Sequence, residues 1–268
     1  MTDHDPAPPP QPVRFRGTGF VLRRHPLFGW ASLVVLGLLW QLAATFQDDF
    51  ILLPRPADVL EAFDSMARSG ELALHVTASL RRIIAGWSLG AACGFGLGMA
   101  IALNSHVRAA ALPLVNFLFA LPKIALLPLF IVWLGIGEAA KIATIAVGVL
   151  SPIVVATYKG IDGVDRRLVR MAQSFDVPAF AIVTRILLPA ALPALLTGVR
   201  LSLSIAIVLL VGAEMIAARY GLGSLALNSG SLMRSDRLFV ALALLGLAGI
   251  AMSLTIDLVE HRLLRRHQ

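Results

Sequence analysis

Six apolar runs divide the chain. Leu27 to Phe46, Ile83 to Ser105, Ala109 to Gly137, Ile142 to Tyr158, Leu192 to Ala217 and Leu238 to Ile256 carry no charge except Lys123 in the third and Arg200 and Glu214 in the fifth. In hydrocarbon every backbone N–H and C=O must be satisfied within the segment, so an apolar run of about 20 residues spans as a helix. The pattern predicts six transmembrane helices and an all-α transmembrane fold.

The polar segments between them fix the organisation. Residues 1–26 are Pro-rich and read as a disordered tail, followed by the first span at 27–46. In the segment 47–79, Val59, Leu60, Phe63, Met66 and Ala67 share a helical face opposite Asp58, Glu61, Asp64 and Arg68, which predicts an amphipathic helix lying at the membrane interface. Residues 80–260 hold the other five spans, and 261–268 form a short tail. The loop 159–190 is the most informative. A helix between Asp165 and Pro178 puts Leu168, Met171, Ala172 and Phe175 on one face and Arg166, Arg167, Arg170, Gln173 and Ser174 largely on the other. Pro178 stops it, and Phe180 to Leu188 begins a second amphipathic piece. Such a helix, held between two spans, can dock on a partner and pass its motion to both, or lie on anionic lipid through its arginines.

Within the second span Gly86, Gly90, Gly94 and Gly98 recur every fourth residue and form one stripe. Without side chains there, another helix can approach closely. Arg200 and Glu214 are the charges inside the fifth span, and an intramembrane charge marks a partner or a pathway. Both are candidates for a pathway or gate. Glu214 equally fits a structural pair with a donor near the outer mouth, and Arg200 fits a contact with the inner headgroups or a pair within the bundle.

Composition narrows the classes. The chain is 57% hydrophobic and 15% charged, with a mean hydropathy of +0.81, whereas soluble domains carry about 25% charged residues. The net charge of +7 resolves into topology. Arg14, Arg16, Arg23 and Arg24, then Arg108, then Lys159, Arg166, Arg167, Arg170 and Arg185, and finally Arg262, Arg265 and Arg266 all fall on one side if spans alternate. That side is cytoplasmic by the positive-inside rule, with both termini on it. These charges are dispersed among spans, which argues against a nucleic-acid surface. The single cysteine, Cys93, excludes an internal disulfide and a Cys-rich metal site. No phosphate-binding loop and no metalloprotease or nucleophile-elbow motif occurs, so no catalytic centre, metal site or cofactor of the chain's own is expected.

The loop resembles the signature of ATP-binding-cassette importer permeases, Glu-Ala-Ala-x3-Gly-x9-Ile-x-Leu-Pro. Arg170, Met171 and Ala172 stand at its head, Asp176 at the glycine, and Ile186, Leu188 and Pro189 at its tail. The tail matches; Arg170, Met171 and Asp176 depart from the pattern. Other segments resemble the nitrate, sulfonate and taurine branch of that family: Leu53-Pro54-Arg55-Pro56, Gly70-Glu71-Leu72 with His75, and Ser79-Leu80-Arg81-Arg82. So do Ala125 to Phe130, Trp133 to Glu138 with Lys141, Thr157 to Gly160, Gly198 to Leu201, Ala213-Glu214-Met215 and Gly221-Leu222-Gly223.

The resemblance implies a type I importer-like six-helix permease in the inner membrane, two copies of which bind two ATPase subunits inside and a solute-binding protein outside, with ATP held by the partner. Its coupling loop is implied to comprise Leu168, Arg170, Met171, Ala172, Phe175, Asp176, Ile186, Leu188 and Pro189. A small anion of the sulfonate, taurine or nitrate class is the implied solute. A pyrimidine precursor carried by the same family, or a secondary transporter, are the alternatives. The latter would place ionisable groups near the midplane.

Overall fold

The computed structural model describes residues 26–46 and 53–264. The readings for the tail before residue 26, for residues 47–52 and for the last four residues lie outside them. Helix α1, Pro26–Phe46, belongs to a unit of its own. Every other described element belongs to the second unit: α2 (Pro56–Arg68), α3 (Glu71–Leu103), α4 (Ser105–Ala120), α5 (Leu127–Leu134), α6 (Glu138–Asp162), α7 (Arg166–Ser174), α8 (Ala179–Ile182), α9 (Leu188–Ala217), α10 (Leu222–Ser231) and α11 (Ser235–Leu264). No strand occurs among the described residues.

Helix α6 is the axis of the second unit. In its most apolar window 61% of residues are buried, against 17–33% in the other three helices that, among the described residues, are long and apolar enough to cross a membrane. It is packed by α3 on one side and α9 on the other, and Ile83, Ile145, Val149, Ile153, Ala206, Leu209 and Leu210 form the shared core. The α3 contact is the glycine stripe. A Cβ added at Gly86 would lie 2.7 Å from Ile145 Cβ, one at Gly90 2.9 Å from Val149 Cβ, one at Gly94 3.0 Å from Ile153 Cβ, and one at Gly98 2.6 Å from Thr157 Cβ. Each glycine thus receives one residue of a matching row on α6, and backbone meets side chain with no room for a methyl group. Gly96, off the stripe, has nothing within 4 Å of such a Cβ.

Three spans depart from the expected outlines. Helix α3 starts at Glu71, just after Gly70 at φ 76, and runs 33 residues. At 1.5 Å per residue that is about 50 Å, well beyond a hydrocarbon core of about 30 Å. The expected boundary between the outer segment and the second span, near residue 80, falls inside this helix. The third run, Ala109 to Gly137, is not one straight span. Helix α4 ends at Ala120, the chain bends by 98°, and a 3₁₀ turn (Lys123–Leu126) leads into α5. Pro122 explains the break, since it forces the preceding Leu121 out of helical conformation, to φ −67 and ψ 138. Hydropathy is blind to such a bend.

The fifth run gains residues instead of losing them. From Ala179 to Ala217 the helix is continuous over 39 residues, although Pro189 and Pro193 lie within it. Pro189 has no N–H and its ring crowds the carbonyl of Arg185. The chain answers with a π-turn over Val183–Leu187, where the Leu188 N–H reaches Val183 O, widening the helix so that it continues.

Helix α2 is amphipathic as expected, yet its apolar residues divide. Ala62 and Met66 are buried against Leu225 and Ala226 of α10 and Val240 and Ala241 of α11. Leu60 and Phe63 stay exposed. The segment therefore docks only part of its apolar face on protein, through Ala62 and Met66.

Candidate functional site

At one end of the bundle three buried charges, Arg82, Lys141 and Glu214, are tied to one another and to the exposed Glu138. Glu214 is fully buried near the C-terminus of α9. Arg82 of α3 donates to its Oε1 at 2.8 Å, Gly223 N–H to its Oε2 at 2.9 Å, and Ser79 Oγ lies 2.7 and 2.9 Å from the two oxygens. The Ser79 hydroxyl also accepts the Leu222 N–H at 2.8 Å. The other edge of the Arg82 guanidinium forms a two-pronged pair with Glu138 of α6, at 2.6 and 2.7 Å, the fixed geometry that makes arginine suited to carboxylates. Arg82 further donates to Tyr220 O. Lys141, itself buried, donates to Glu138 at 3.0 Å and to Ala217 O at 3.1 Å.

Two cations and two anions thus close on one another, and the cluster is formally neutral. It stitches α3, α6, α9 and the start of α10. Gly221, at φ 148, lets the chain pass directly over the carboxylate, because a Cβ there would fall inside the Glu214 side chain. His75 Nδ1 lies 2.8 Å from Gly221 O and receives the Gly221 N–H at 3.1 Å. Of the sequence candidates, Glu214 is here. Arg82, which with Arg81 reads from sequence as an outer-mouth cation for an anion or for interface anchoring, is instead paired with Glu214 and Glu138, while Ser79, Glu138 and Lys141 stand out in the sequence only within family-like segments. The available signal was the need of an intramembrane acid for a donor at its own depth. Arg200, the other charge of the fifth run, is elsewhere. It pairs with Asp257 and, at 2.9 Å, with Glu260 of α11.

At the opposite end the loop 159–190 forms α7, α8 and the π-turn. Asp165 caps α7 by accepting the Arg167 N–H at 2.8 Å. The helix ends in a Schellman motif, in which Val177 N–H reaches Ala172 O at 3.1 Å and Asp176 N–H reaches Gln173 O at 3.0 Å. That motif requires a left-handed residue, and Asp176 supplies it at φ 54. The position where the resembled family carries glycine therefore keeps glycine's conformation, and aspartate is among the residues that adopt it.

The expected apolar face of α7 is split. Ala172 turns inward onto Ile161, Val164, Ile182, Leu187 and Ala191, with Ile186 packed beside them. Leu168, Met171 and Phe175 point outward, Phe175 with 77% exposure, as does Phe180 of α8 with 80%. Leu188 and Pro189 are half-buried at the start of α9, and Arg170 is exposed. The inward face is built from Ala172 and Val169 because the flanking helices already supply the larger apolar groups. Among the described residues no group of three or more His, Cys, Asp or Glu side chains is arranged to hold a metal ion.

Long apolar helices packed through glycine, a neutral charge cluster with three of its four members buried and an exposed short amphipathic helix define a multi-pass membrane protein. Residues 92–267 match the family described as binding-protein-dependent transport system inner membrane component, and the chain belongs to that family of ABC importer permeases. It is 35% identical to SsuC of Escherichia coli (strain K12), a permease named for aliphatic sulfonates transport, over 88% of this chain and 90% of that one. It is 31% identical to the taurine transport system permease protein TauC of the same organism, over 92% of each. The fold is shared with a chain of the inward-facing MetNI methionine ABC transporter, at a TM-score of 0.63 and 22% identity over 72% of this chain and 95% of that one. It is also shared with a chain of an amino acid ABC transporter, at a TM-score of 0.59 and 16% identity over 75% and 98%.

Proposed function

We propose that this chain is the membrane-spanning subunit of an ATP-driven importer for a small organic anion of the aliphatic sulfonate or taurine class. Similarity to SsuC and TauC over nearly the whole of each chain supports the substrate class. The observation that carries the mechanism is the outward set Leu168, Met171, Phe175 and Phe180, apolar side chains presented on a short capped helix and its neighbour. Exposed apolar clusters mark partner surfaces, and this one serves as the docking element for an ATPase subunit. Arg166, Arg167 and Arg170 rim it. The working assembly has two copies of the chain, two ATPases on the α7 side and a solute-binding protein on the Glu214 side, with both termini cytoplasmic in the inner membrane.

In this mechanism nucleotide binding draws the ATPases together and displaces α7. Since Ala172 packs on Ile182, Leu187 and Ala191, α9 moves with it and the pathway opens toward the binding protein. The nucleotide drives this only through different interaction with the two states. Arg170 in place of the family glutamate calls for a complementary acid on a dedicated ATPase. The test is uptake of labelled taurine and ethanesulfonate by proteoliposomes holding the chain with its own ATPase and binding protein. ATP-dependent accumulation of either is expected. Uptake by the chain alone on an ion gradient identifies a secondary transporter, and ATP-dependent uptake of nitrate or a pyrimidine precursor alone moves the substrate class.

A further inference from the structure

The Glu214 end holds a second polar feature that the buried cluster does not use. A cavity of about 200 Å³ lies where the α9–α10 link meets α3 and the start of α11, lined among others by Arg219, Arg234, Arg237, Glu71, His75 and Ser229. Its positive charge is incompletely answered. Arg237 pairs with Glu71 at 3.1 Å, and Arg234 reaches only Asp236, at 3.4 Å. Arg219 has no carboxylate within 4 Å among the described residues; its guanidinium sits 5.4 Å from the Tyr220 ring centroid. Ser229 is 4% exposed, and its hydroxyl makes no hydrogen bond within the described residues. The hydroxyl oxygen is not sealed in the interior, so it is open to the cavity it lines.

The other cavities differ in charge. Beside α7, a space of about 460 Å³ includes Arg108, which Asp162 neutralises at 2.6 Å. Beside α2, a space of about 230 Å³ sets Asp58, Glu61 and Asp236 against Arg234 and Arg237. Of these three cavities, the one under Arg219 combines surplus cations with an unused hydroxyl. Its volume is below the roughly 300 Å³ at which pockets begin to hold drug-sized ligands, so it suits an anion of few heavy atoms.

We propose that the cavity lined by Arg219, Arg234 and Ser229 binds a small organic oxyanion of the sulfonate type, with Ser229 Oγ and the Arg219 guanidinium as its donors. The anion's chemical identity rests on the substrate class proposed above; the site rests on its geometry. Its wall adjoins the charge cluster, because His75 in the wall contacts Gly221 O and Arg219 in the wall precedes Tyr220, whose carbonyl accepts from Arg82. A bound anion therefore touches the segment that covers Glu214. A lipid phosphate offers the same tetrahedral oxygen chemistry, and the test separates the two sources.

Full-length Ser229→Cys, in a Cys93→Ala background, is placed in nanodiscs of zwitterionic lipid. It is labelled with 2-sulfonatoethyl or 2-aminoethyl methanethiosulfonate, each rate being normalised to that with a free thiol. Faster labelling by the anionic reagent is expected, together with protection by ethanesulfonate. The preference should fall about 16-fold for each of Arg219→Gln and Arg234→Gln, since losing one charge at about 5 Å in a water-like medium slows the anionic reagent about fourfold and speeds the cationic one by the same factor. Should Ser229→Cys fail to fold, Asn228→Cys on the same wall takes its place. Equal labelling by the two reagents, or no change on removing the arginines, overturns the site. Protection by added phosphatidylglycerol but not by ethanesulfonate assigns the cavity to lipid and overturns the soluble ligand. These readouts need no transport, so a failed uptake assay with an intact anion preference overturns the transport reading alone.

Discussion

The two ends of the bundle handle charge in opposite ways. Around Glu214 each cation of the cluster meets a carboxylate and a carbonyl oxygen, and Arg82 is only 4% exposed. Around α7 the arginines and the aromatic side chains face outward, while the small Ala172 holds the helix down. Charge that is buried and matched within the chain fixes its shape. Charge and apolar surface left outward are matched by something else. The same family-like segments appear at both ends, so resemblance alone does not separate a structural tie from a contact surface; the geometry does.

Four substitutions test that division, in falling order of their effect on stability. Arg82→Met leaves Glu214 buried without its cation, and breaking a buried pair from one side costs about 3–5 kcal/mol. A large drop in unfolding temperature is expected, partly restored by adding Glu214→Gln. A loss below about 1 kcal/mol would show that the cluster is not a structural tie. Gly90→Ala forces a methyl group against Ala146 and Val149, with an overpacking cost of about 1–3 kcal/mol. Gly96→Ala, with open space, should be neutral or stabilise by up to about 1 kcal/mol through helix propensity. Equal losses at the two glycines in denaturant titrations would remove the stripe's role.

Smaller effects belong to the α7 end. Asp176→Val puts a β-branched residue at φ 54 and should cost about 1–2 kcal/mol, read as faster amide exchange at Val177, whereas Asp176→Gly should shift stability by no more than about 0.5 kcal/mol. Phe175→Ser should leave thermal stability within about 0.5 kcal/mol yet lower co-purification with the ATPase. If it destabilises the chain and leaves the ATPase bound, the outward face belongs to the fold and the contrast between the ends collapses.

Sequence patterns exposed the features that repeat locally. The apolar runs show in hydropathy, the glycine stripe in its four-residue period, and α7 in its amphipathic rhythm. What they hid depends on distant parts of the chain or on backbone direction. Ser79 and Arg82 meet Glu214 across more than 130 positions, which no spacing rule encodes. Pro122 announced a boundary but not a turn of 98°. In α7 the rhythm identified the apolar positions, but which of them faces inward depends on the size of the groups that Ile161, Ile182 and Leu187 already place beneath it.

The unbroken helix from Ala179 to Ala217 is also a mechanical part. A straight α-helix is stiff along its axis, and from Leu188 to Glu214 it spans about 40 Å at 1.5 Å per residue. In the proposed mechanism it is a pushrod with one foot in the α7 cluster and the other in the charge cluster. The π-turn at Val183–Leu187 is the part of that rod with surplus backbone. There the rod can shed rotation while still delivering thrust, so a rolling displacement and a pushing displacement of α7 need not arrive at Glu214 with equal force.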